Sequence, residues 1–125
     1  MPLTYSEDAD SKVMEIRLDG RVTREDFDTI ADKVQAFIDT HQTVRMIEII
    51  DSFGGFDPSV LWPGIKFDIR NIRHISHVAV VSDLGWISPL SKAAGAVIST
   101  RLRTFDMAHL DEARDWVRSA GAGQG

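Results

Sequence analysis

Cysteine is missing from this chain of 125 residues. Without a thiol there is no disulfide, no thiolate zinc site and no cysteine nucleophile. Long apolar runs are missing too, since no uninterrupted stretch approaches the ~18 residues that a spanning helix needs. The opening "MPLTYSEDADSK" carries acids and no apolar core, so it does not read as a signal peptide. Positive charge is in deficit: 14 Lys and Arg stand against 19 Asp and Glu, a net −5. That balance argues against a nucleic-acid partner, which wants a basic surface. The expectation is a soluble, cytoplasmic domain.

Recognisable chemistry is scarce as well. His41, His74, His77 and His109 form no HExxH, and a helix end separates His74 from His77, so no metal site is expected. No GxSxG elbow surrounds Ser52, Ser82, Ser88 or Ser91, and "GGFD" lacks the lysine of a phosphate-binding loop. Asp51, Asp57 and Asp83 can gather near strand ends, although caps and turns use aspartate equally well. The sequence therefore reads as non-enzymatic and free of cofactors.

What is present is hydrophobic periodicity. Leu3–Glu7 and Val13–Leu18 alternate as two half-buried strands, joined through "EDADSK" as an antiparallel hairpin. Asp19-Gly20 is expected to turn the chain. Thr23 suits an N-cap, and Phe27, Ile30, Ala31, Val34 and Ile38 stripe a helix running to about Thr40. Val44–Ile50 reads as a strand and Asp51–Pro58, "DSFGGFDP", as a glycine-punctuated loop. A helix from about Pro58 to His74 follows, then the apolar strand His77–Asp83, a helix over "WISPLSKAAGAVIS", the strand Arg101–Phe105 and a helix over Asp106–Arg118. The order β-β-α-β-α-β-α-β-α implies one α/β domain over 1–119, with a tail at 120–125. Its sheet is mostly parallel, of about five strands with an antiparallel first strand, flanked by about four helices.

The chain resembles the SpoIIAA-like branch of the STAS-type fold, the fold of anti-anti-sigma factors. The resemblance rests on "DGRVTREDFDTI", "LWPGIKFDIRNIRHISHVAVVSD", "GWISPLSKA" and "FDMAHLDEARDWV", and covers nearly the whole chain. It implies a small non-enzymatic module that binds an apolar or lipid-like ligand or associates with a membrane. In anti-anti-sigma factors a serine in an Asp-Ser-Ser-Gly turn is phosphorylated by a partner kinase. The matching turn is "DSFG", Asp51–Gly54, with Phe53 at the modified position. Ser52, next to it, is the candidate phosphorylation site of the alternative reading, docking onto an anti-sigma factor or sensor kinase.

The helix "LWPGIKFDIRNIRH" carries the main functional expectation. Projected at 100° per residue, Leu61, Ile65, Ile69 and Ile72 make the stripe expected to face the sheet, leaving Phe67 on the opposite side. Trp62, Lys66, Arg70 and Arg73 flank the stripe. An outward aromatic pair amid cations suits an anionic membrane surface, at the inner face of the membrane in a cytoplasmic protein. A protein partner or homodimer is the other occupant considered. The bland reading tucks Phe67 under a neighbouring helix or loop and leaves the cations solvated.

Ligands of open α/β sheets favour the carboxyl ends of strands. There Phe53 and Phe56 are expected to meet Trp86 and Ser82 around an apolar groove, or else to plug the sheet end.

Overall fold

The structure is a computed structural model that describes residues 3–87, 89, 92–93 and 100–122. Five strands form one sheet in the order β1-β2-β3-β4-β5: Leu3–Asp8, Val13–Val22, Val44–Phe56, Ile75–Ser82 and Arg101–Phe105. β1 pairs antiparallel with β2, and the remaining neighbours are parallel. Three α-helices are described: α1 (Arg24–His41), α2 (Leu61–Asn71) and α3 (Leu110–Ala122). α3 continues past the expected end at Arg118. Most of the helix expected over 86–99 lies outside the described residues.

Right-handed crossovers put α1 and α2 on the same side of the sheet. There Ile30, Val34, Phe37 and Ile38 of α1 close over Met14, Met46, Val78 and Val80. α3 covers the other face, where Ala113 and Val117 meet Ile47, Ile49, Ala79 and Val81. β4 is buried through most of its length, as its unbroken apolar run requires. Thr23 caps α1 as expected, its hydroxyl accepting from the Asp26 amide at 3.1 Å.

Two local expectations are corrected. Asp19-Gly20 does not turn the chain, and "DSFGGF" is not a loop. β2 continues to Val22 and β3 to Phe56, paired through Asp19↔Ser52, Gly20↔Phe53 and Val22↔Phe56. Each register shift there lets the longer strand absorb an extra residue as a bulge. The glycines permit this pairing rather than end it. A Cβ on Gly54 would lie 3.3 Å from the Gly20 carbonyl carbon, and Gly55 takes φ +94°.

The third correction concerns the phase of α2. Val60, Phe67 and Asn71 turn inward, while Leu61 and Ile65 are exposed. The Phe67 ring is half-buried, meeting Phe27 of α1 edge-on at 6.4 Å. Gly64 keeps that approach open, with Phe27 the nearest group to where its Cβ would be. Buried Asn71 locks the phase, its amide donating to the Phe67 carbonyl and to Gln35 of α1, each at 3.0 Å. The periodicity was satisfied by two faces, and a hydrogen-bonded polar anchor decided between them.

Candidate surface site

The carboxyl end of β3 and the start of α2 carry the site. Phe53 and Phe56 lie on either side of Gly54-Gly55, and Phe53 stacks against Phe56 at 6.4 Å and Trp86 at 5.7 Å. All three rings remain largely exposed, forming a ridge rather than a plug in the core. Asp57 then caps the turn Pro58–Val60, its carboxylate accepting from the Ser59 amide at 2.9 Å. That turn leads directly into α2.

The outward side of α2 is more apolar than its sequence projection suggests. Trp62 is 61% exposed and Leu61 54%, with Ile65 also outward. Lys66 lies over the Trp62 ring at 5.5 Å and Arg70 over the Phe67 ring at 5.8 Å. Arg73, beyond the helix end, donates to the His74 ring at 3.4 Å. None of Lys66, Arg70 and Arg73 forms an ion pair among the described residues. Leu61 and Ile65 are the contact candidates that sequence reasoning assigned to the core. Their signal was the second apolar face, legible only once Asn71 is known to be buried.

The expected groove does not gather Ser82 with the aromatics. Ser82 instead lines a separate cleft of about 310 Å³ with Val80, Asp83, Leu84, Thr104 and Asp106. Its hydroxyl donates to the Ile50 carbonyl at 2.8 Å and accepts from the Leu84 amide at 3.2 Å.

Each aspartate considered for chemistry has its own structural task. Asp51 takes both oxygens to Arg17, at 2.6 and 2.9 Å, and that guanidinium holds its carboxyl below the usual range. Asp57 caps the turn, and Asp83 accepts from the Met107 amide at 2.9 Å. Among the described residues no group of three or more potential ligands could hold a metal ion. Ser52 donates to Asp19 at 2.6 Å, with Asp51 adjacent in sequence, so a phosphoryl group there would enter acidic surroundings.

One acid was missed from the sequence. Glu48, on the α1/α2 face of β3, pairs in register with Ile16 and Val80. Burial first, and then the charge of Asp68 on α2, push its carboxyl up to about 7. Alternation places Glu48 with Val44, Met46 and Ile50 on an apolar face of "VRMIEII", a signal that was overlooked.

A mostly parallel five-stranded sheet, with an antiparallel first strand and helices on both faces, defines a small α/β protein of the kind the sequence resembles. The SpoIIAA-like family model matches residues 13–118, and the chain belongs to that family. A solved structure of similar fold is an uncharacterized protein of the DUF3478 family, with a SpoIIAA-like fold, from Shewanella loihica PV-4. It is 14% identical, with a TM-score of 0.74 over 92% of this chain and 91% of that one. No curated protein matches the chain. Among the described residues, no helix is long and apolar enough to cross a membrane.

Proposed function

We propose that this protein is a non-enzymatic binding module that docks on an anionic lipid surface through the outward side of α2 and the adjoining aromatic ridge. The exposure of Trp62 beside Lys66, which forms no ion pair among the described residues, carries the reading. Trp62, Leu61 and Ile65 would enter the headgroup layer, with Phe53, Phe56 and Trp86 as further apolar contacts. Lys66, Arg70 and Arg73 would meet lipid phosphates. Phe67 contributes indirectly, by holding α2 against α1. A protein carrying net negative charge gains orientation from this placement, since the cations of α2 flank its outward apolar side chains.

Co-sedimentation with vesicles tests the reading. Wild type pellets with anionic vesicles at low salt and stays in solution with zwitterionic ones. Trp62→Asp combined with Ile65→Asp abolishes pelleting without loss of folding, because both side chains are exposed. Equal recovery of the double variant and wild type removes the proposal.

A further inference from the structure

The amino ends of the parallel strands carry a second group of basic side chains. Arg45 of β3, His77 of β4 and Arg101 of β5 are register partners across three adjacent strands. All three share the face covered by α3, because each lies two residues before Ile47, Ala79 or Arg103 on that side. A register shift between Val44 and Arg45 creates the alignment: Val44 pairs with Ile75, but Arg45 pairs with His77, so Ser76 is the bulged residue. Bulges of this kind re-aim a side chain. Here the result brings an imidazole between two guanidiniums, an arrangement that repels itself when protonated.

Nothing among the described residues neutralises the row. Neither Arg45 nor Arg101 forms an ion pair. Arg45 donates from its terminal nitrogen to the Ser11 carbonyl, while its Nε is buried without a partner among the described residues. His77 is only 8% exposed, with its Nδ1 2.9 Å from the Ser76 hydroxyl and its ring edge-on to Trp116 at 5.5 Å. We propose that Arg45, His77 and Arg101 form a binding site for a phosphate or phosphomonoester dianion, on the opposite face of the sheet from α2. Two guanidiniums supply donors for a doubly charged oxyanion, and the imidazole adds a third cation when it takes up a proton.

That uptake gives the site a readout. Burial first, then the charges of Arg101 and Arg45, hold the His77 ring below its usual range. The other charged groups around the row are accounted for. Arg103 stacks over Phe105 and Trp116, while Arg114 and Arg118 of α3 turn to Glu15 and Asp8. Glu112 and Asp115 of α3 are exposed and form no ion pair with the row. A bound dianion offsets the two guanidinium charges at the ring, so the ring pKa rises and the dianion is held more tightly once the ring is protonated.

The experiment is an NMR titration of the histidine rings with inorganic phosphate, against chloride at matched ionic strength, in wild type and Arg101→Gln. His41 and His109 serve as internal references. Arg101 is exposed, so its replacement leaves the fold intact. Phosphate is expected to raise the His77 pKa saturably, by about one unit, and Arg101→Gln to weaken the apparent affinity about tenfold. An unchanged His77 relative to chloride overturns the proposal, as does an identical response in the variant. Phosphate shifts confined to Lys66–Arg73 overturn it too, as does a His77 response to anionic vesicles but not to free phosphate. Loss of vesicle binding in Trp62→Asp leaves this titration unaffected, so the two assignments fail separately.

Discussion

Single side chains decide more here than their numbers suggest. Glu48 is the sharpest case. Its carboxyl rises from an ordinary 4.5 to about 7 when folded, so the native state holds a proton that the unfolded chain has released. The resulting stability is complete below pH 4.5, declines as pH climbs toward 7, and levels off above. The full span is up to about 3 kcal/mol. Glu48→Gln is therefore expected to flatten the pH profile and to be more stable than wild type at pH 8, checked by urea midpoints at pH 5 and 8. Phe67 and Trp62 provide a second contrast on one helix. Phe67→Ala should cost about 2 kcal/mol, less than a fully buried ring, whereas Trp62→Ala should stay within about 0.5 kcal/mol. Equal losses by denaturant titration would mean that α2 sits in the phase its apolar spacing first suggests.

At the scale of the element, periodicity and capping made most of the fold legible. The β1–β2 hairpin, α1 with its Thr23 cap and the buried β4 all follow from spacing and capping. The failures have a shared origin in ambiguity that only partners resolve. "DSFGGF" carries turn residues, yet its glycines serve close strand approach, since Gly54 faces the backbone of β2. α2 offers two apolar faces, and the Asn71–Gln35 bond selects one. The extended end of β3 depends on Gly55 at φ +94°, a conformation that L side chains resist. Gly55→Ala should destabilise the protein by about 1–2 kcal/mol, lowering Tm by about 5 °C. The same change should blunt vesicle binding by displacing Phe53 and Phe56, read by co-sedimentation at a temperature well below Tm.

For the whole molecule, charge distribution matters more than net charge. The sequence's −5 conceals cations that form no ion pair among the described residues, Lys66, Arg70 and Arg73 along and just after α2 and Arg45 with Arg101 on the face covered by α3. The candidate residues were legible as residue types in sequence; their grouping was not, because strand register and helix phase create it. Each cation near an anionic surface contributes about 1 kcal/mol and is screened by salt. Raising salt from ~50 to ~300 mM should therefore weaken vesicle binding by about an order of magnitude or more, and salt-insensitive pelleting would mean that apolar insertion dominates.

The order of the strands has a final consequence. Each parallel strand is laid down beside its predecessor in a single direction, from β2 to β5. The winding does not reverse from β2 to β5, and after β5 the chain crosses to the opposite face through α3, beside the cleft at the carboxyl ends of β4 and β5. A sheet wound this way must recognise its partners with side chains carried at its rim, and new specificities can arise there by substitution without rebuilding the framework.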